Sequence, residues 1–128
     1  MKLPLLALAL ATLFSTTALA ATPTAKKGKL IHMVSFKFKE TATAAQIKEV
    51  EAAFRGLKDK IPQIRSLEWG TNVSPEKHDK DFTHAWLLSF KSAKDRDVYL
   101  THPDHKKFGA LLGPILGDVF VVDFWAQH

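Results

Sequence analysis

The ten residues YLTHPDHKKF, Tyr99 to Phe108, bring a phenol, two imidazoles and a proline into one short stretch. Side chains of these types suit acid–base work. A neutral histidine can take a proton from a carbon flanked by carbonyl groups, and its ordinary pKa of about 6.5 leaves it mostly neutral near pH 7. Tyr99 can then hydrogen-bond the enolate oxygen that develops. A carboxylate is needed to orient such a histidine. Asp123 is the candidate, because between Val122 and Phe124 it needs a donor to offset its burial, and a histidine is the expected donor. The same ten residues also read as a plain joint between helices, with His105 tying a helix start and Tyr99 burying its ring while its hydroxyl reaches water. Residue types alone allow either.

Other chemistries find less support. His102 and His105 are three apart at a helix start, and with His84 or Asp123 they suggest a metal site. Pro103 imposes an extended backbone on His102, which turns that side chain off the helical face, so no metal is assigned. His32 and His84 alternate with large apolar residues on strands, the pattern of hydrogen-bonded core histidines. His78 and His128 fall in a polar loop and at the terminus, where solvation is the default. The chain has no cysteine, which excludes disulfides, zinc–thiolate sites and cysteine nucleophiles. No glycine-rich phosphate loop follows a strand and no serine sits at a nucleophile elbow, so no cofactor is expected. Basic side chains are interspersed with acids, and nucleic acid is not an expected partner.

The elements that must position these groups are legible from periodicity. Residues 1–20 hold Lys2, an apolar run from Leu3 to Phe14 and an Ala18-Leu-Ala20 end, which reads as a signal peptide cut after Ala20. The run is short for a membrane anchor, so the expected destination is the periplasm or the medium. Residues 21–29 read as a polar, flexible tail. About 108 residues follow the leader, enough for one domain with a real core. From Leu30 the pattern has period two, with His32, Val34, Phe36 and Phe38 on one face. A helix follows from the capping box at Thr43 to Pro62, then strands near Ile64–Val73 and Phe82–Phe90. Ser92 opens a second helix that carries Tyr99 in its last turn, and Pro103 opens a third. Val119–Trp125 reads as a last strand, central or doubly covered because its apolar run is continuous.

The order predicts an α+β class: a ferredoxin-like split βαβ arrangement with a four-stranded antiparallel sheet. Both helical segments then cover one face. Ile31, Met33, Ala85, Leu87, Phe120, Val122 and Phe124 fall on the other, which is too apolar to leave in water. A homodimer packed through that sheet face is expected.

Five stretches together resemble a known family: HMVSFKF from His32, IPQIRSLEWGTNVSPE from Ile61, FTHAWLLSF from Phe82, YLTHPDHKKF from Tyr99 and VVDF from Val121. In this order and spacing they look like the stress-responsive A/B barrel family, also called Dabb, the dimeric α/β barrel. The resemblance implies a dimeric ferredoxin-like barrel over residues 30–126. It also points to the family's plant polyketide cyclase branch, which performs a cofactor-free aldol cyclisation with a histidine and a tyrosine. By that resemblance the catalytic pair falls on His105 and Tyr99, the accessory histidines on His32 and His84, and the last strand's acid on Asp123. Three positions depart from the branch. Phe54 stands where it has a second pocket tyrosine, Glu51 replaces an aromatic, and Leu116 replaces a tryptophan that closes the pocket.

The expected site is thus a cavity under the helices. His32, Val34, Phe36, His84, Trp86, Val121 and Asp123 come from the strands, and Phe54, Tyr99, His105 and Phe108 from the helices. Few polar groups converging in apolar surroundings is the pattern of a small-molecule site. The sequence reads as an exported protein binding a small hydrophobic molecule and acting as a cofactor-free cyclase or lyase through its His/Tyr pair. The alternative is a non-catalytic stress-associated dimer that sequesters hydrophobic compounds. A cavity opening beside Tyr99 and His105 would favour the first, and an interior filled by Phe54 or Trp86 the second.

Overall fold

Strand β1 (Leu30–Phe38) follows its alternation: His32, Val34 and Phe36 are buried on one face, while Met33, Ser35 and Lys37 on the other keep part of their surface. This is a computed structural model describing residues 28–128, with Lys2, Pro4, Ser15, Thr17 and Ala18 ahead of them. Apart from those five residues, Gly28 and Lys29, the expected leader (1–20) and tail (21–29) lie outside the described residues.

Helix α1 (Ala44–Lys60) starts where the capping box puts it. The Thr43 hydroxyl accepts from the Gln46 N–H, and the Gln46 side chain accepts from the Thr43 N–H. It stops ahead of Pro62, which disfavours helical backbone in the residue before it. Strand β2 (Ser66–Thr71) is shorter than the expected Ile64–Val73. Ile64 leaves the ladder to bond the Ile61 carbonyl and fill the core. Strand β3 (His84–Phe90) begins two residues later than expected, because the Phe82 N–H closes a turn on the Asp79 carbonyl.

Helix α2 (Ala93–Thr101) is capped by the Ser92 hydroxyl, which accepts from the Asp95 N–H. Helix α3 (Pro103–Leu112) follows after one residue, His102, whose imidazole accepts from the Asp104 N–H at 3.1 Å. His102, not His105, therefore ties the helix start. A single 3₁₀ turn at Gly113–Ile115 leads into strand β4 (Leu116–Trp125), which begins three residues before the expected Val119. The early start depends on Gly117, where a Cβ would lie 3.0 Å from the Lys37 carbonyl oxygen.

The fold is ferredoxin-like α+β, a four-stranded antiparallel sheet in the order β2-β3-β1-β4 with the helices on one face. Phe36, Phe54, Trp86 and Phe90 anchor the core beneath them. The first of the two expected placements of β4 is overturned: it is not central, and its own chain leaves its apolar residues partly exposed. It is an edge strand, because only β1 pairs with it, and Val119, Phe120, Val121, Val122 and Phe124 are 38–50% exposed in the single chain. Cross-strand register confirms the parity of the uncovered face, with Met33 between Leu87 and Val122, and Ile31 beside Phe124. No described helix is long and apolar enough to cross a membrane.

Candidate active site

A cavity of about 580 Å³ opens between the β1–β4 half of the sheet and helices α2 and α3. Register sets its polar floor. His32 on β1 lies directly opposite Asp123 on β4, and its Nδ1–H donates to Asp123 Oδ1 at 2.6 Å. The other carboxylate oxygen, Oδ2, accepts from Arg96 Nη1 of α2 at 2.7 Å, while Arg96 Nε donates to Asp97 at 2.9 Å. Val34, Phe36, Val119 and Val121 continue the floor as an apolar surface.

The roof comes from the helical joint. Tyr99, in the last turn of α2, is 1% exposed, and its ring centroid lies 4.5 Å from that of His105 and 5.6 Å from that of His32. Proline at the first position of α3 holds His105 one turn into a helix whose start His102 fixes, so the imidazole and the phenol meet across the joint. Phe54 and Phe108 pack edge to face at 4.8 Å at the apolar end of the cavity.

The surroundings shift four of the polar groups: His105, Tyr99, Asp123 and Arg96. Burial lowers the pKa of His105, partly offset by a backbone hydrogen bond at Leu100 and reinforced by His32, so its imidazole is neutral. Burial, then the Asp123 charge, pushes the Tyr99 hydroxyl well above its usual range, so it remains a donor. For Asp123 partial burial acts upward, but hydrogen bonds from Arg96 and His32 outweigh it and hold the carboxyl below its ordinary range. The hydrogen bonds to Asp123 and Asp97 raise Arg96 in turn. The site thus presents a neutral base, a neutral acid and an ionised carboxylate bridging an arginine and a histidine. In chemical terms it can move a proton and stabilise the oxyanion that results.

Nine of the eleven expected residues line this cavity: His32, Val34, Phe36, Phe54, Tyr99, His105, Phe108, Val121 and Asp123. Trp86 and His84 do not, and the expectation that they would is corrected. Trp86 is fully buried, stacked on Phe54 at 4.0 Å and on Trp69 at 4.8 Å. His84 shares the helix-covered face but pairs with Phe36, four residues along β1 from His32, roughly 13 Å away at the strand's rise. There its Nε2 donates to Glu51 at 3.0 Å, and its Nδ1 accepts from the Thr83 hydroxyl at 2.8 Å. Glu51, the departure noted above, is thus the partner of an internal histidine. Sequence reading missed Arg96, Asp97 and Leu100 on the roof and Val119 on the floor. A signal for Arg96 was present, since it precedes Tyr99 by three residues and shares its helix face.

Comparisons with known proteins bear on the family and the fold. The chain is 27% identical over 93 residues to olivetolic acid cyclase of Cannabis sativa, covering 73% of this chain and 92% of the cyclase. Its fold is similar to that of hydroxynitrile lyase from Passiflora edulis, with a TM-score of 0.75 at 23% identity over 80% of this chain and 96% of the lyase. It is also similar to a dimeric ferredoxin-like protein from Thermobifida fusca, with a TM-score of 0.68 at 22% identity, covering 82% and 97% of the two chains. The sequence model of the stress responsive A/B barrel domain matches residues 30–126, and the chain belongs to that family.

Proposed function

We propose that this chain is a cofactor-free lyase or cyclase for a small hydrophobic carbonyl compound, working as a homodimer with Tyr99 and His105 as its catalytic pair. One observation carries the reading: a neutral imidazole and a protonated phenol, rings 4.5 Å apart, close the polar end of a cavity that is otherwise apolar. Phe54 and Trp86 stack on each other in the core and leave that cavity open, which favours chemistry over a filled interior. The relative among cyclases adds support.

In this reading the substrate's carbonyl oxygen accepts from the Tyr99 hydroxyl, and His105 removes a proton from the adjacent carbon. The electron pair moves into the enolate, whose oxygen Tyr99 stabilises. The enolate carbon attacks a second carbonyl of the same molecule, forming the new carbon–carbon bond, and the proton on His105 returns to the alkoxide. A lyase runs the bond-breaking direction with the same two groups. The test is mass spectrometry of ligands that copurify with the native protein, repeated for Tyr99→Phe and His105→Ala. A hydrophobic carbonyl compound retained by the native chain and altered or absent in the variants is expected. A native preparation with no such compound, and no turnover of β-dicarbonyl compounds supplied to it, would overturn the reading.

The dimer in this proposal forms through the uncovered sheet face, where Leu87, Phe120, Val122 and Phe124 leave more apolar surface in water than a single layer sustains. The Thermobifida fusca relative is described as dimeric. The proposal also retains export: residues 1–20 act as a leader removed after Ala20, with delivery to the periplasm or medium. N-terminal sequencing of the native protein, expected to begin at Ala21, checks this.

A further inference from the structure

We infer that the cavity rejects carboxylates in favour of neutral carbonyl or phenol ligands, and that Arg96, bridged between Asp97 and Asp123, is the residue that sets this discrimination. The inference rests on the cavity's being a ligand site, as proposed above, and adds the charge class of what it takes.

Six titratable groups line the cavity: His32, Arg96, Asp97, Tyr99, His105 and Asp123. Arg96 is the only permanent cation among the described residues of the lining. In most pockets an arginine at the polar end is a fork for an acidic ligand. Here the fork is already engaged. Nη1 holds Asp123 at 2.7 Å and Nε holds Asp97 at 2.9 Å, so one positive charge meets two negative ones. Arg96 with its two carboxylate partners, Asp97 and Asp123, carries a net charge of minus one. A ligand carboxylate entering beside Tyr99 would face Asp123 without a free cation, and like charges facing each other across an interface are strongly disfavoured. Displacing Asp123 from Arg96 would in turn leave the carboxylate that orients His32 without its arginine partner. A ketone, aldehyde or phenol has no such conflict. Its oxygen accepts from the Tyr99 hydroxyl, and its chain lies along Val34, Phe36 and Phe108.

Arg96 spans the gap between α2 and the edge strand β4, so it also fixes the position of Asp123 on a strand that only β1 supports by pairing. It acts through Asp123 and is a positioning and selecting residue.

The experiment uses three size-matched probes, 2-heptanone, heptanoate and heptylammonium, titrated by calorimetry into the full chain at pH 7 and low salt. In the native protein 2-heptanone is expected to bind at least about tenfold tighter than heptanoate, roughly the effect of one unfavourable charge contact. Asp97→Asn and Asp123→Asn each remove one negative charge from around Arg96, and in both the ratio of heptanoate to 2-heptanone affinity is expected to rise. Asp97 is mostly exposed, so its variant keeps the test available even where Asp123→Asn fails to fold. Equal or tighter binding of heptanoate by the native protein overturns the inference while leaving the cavity reading intact. A native preference that neither variant shifts also overturns it, because the charges around Arg96 would then not be the cause. Failure of all three probes to bind removes the cavity reading itself, and this inference with it.

Discussion

His105 and Asp123 respond to acid by different routes, and the direction of each follows from its environment. The folded chain holds the His105 pKa below its ordinary value, so the unfolded chain binds the proton more readily. Folding stability is therefore expected to fall as pH drops through about 6.5 and below, and a His105→Gln variant should lose less over that interval. Asp123 is also depressed, so its contribution is present above the ordinary carboxylate value of about 4 and is lost as pH falls through the lower, folded value. Urea unfolding at a series of pH values separates the two steps. Phe54 tests packing: its ring is 1% exposed between Trp86 and Phe108, and Phe54→Ala is expected to cost about 3–5 kcal/mol in the same measurement. At this scale the sequence told that Asp123 needs a donor and that a histidine would serve. It could not tell which histidine, because His32 and His84 share strand parity and only the register places one of them opposite Asp123. Arg96 escaped notice for a related reason, since its partner lies 27 residues away on another element.

Elements were legible where their ends carry side-chain chemistry. Thr43 and Gln46, three residues apart, mark the start of α1 by a pair of hydrogen bonds, and Ser92 marks that of α2 by one. Thr43→Ala is expected to lower stability by about 1 kcal/mol, read by thermal or urea unfolding, with the site chemistry unaffected. Strand ends were less legible because they depend on distant partners. Ile64 breaks from β2 to fill the core, and Leu116 joins β4 early because Gly117 lets that strand approach Lys37. The placement of β4 at the sheet edge was misread for a physical reason as well. A continuous apolar run implies burial on both sides, but the run itself does not say whether its own chain or something else provides the cover.

For the whole molecule, the uncovered sheet face makes association the quantity to measure. Leu87→Lys combined with Phe120→Lys places two charges on that face, and both side chains are already exposed in the single chain, so the fold should persist. Sedimentation equilibrium is expected to report a dimer for the native protein and a monomer for the double variant. Circular dichroism should show unchanged helix content. The tryptophans add something useful here. Trp69 and Trp86 are register partners on β2 and β3, with rings 4.8 Å apart and nearly parallel, so their excited states interact strongly. Trp125 belongs to β4, at the opposite edge. Near-ultraviolet optical bands can therefore follow the two sides of the sheet as separate signals. Whether the cavity edge loosens before the aromatic edge does becomes a question that a spectrometer can answer without any added label.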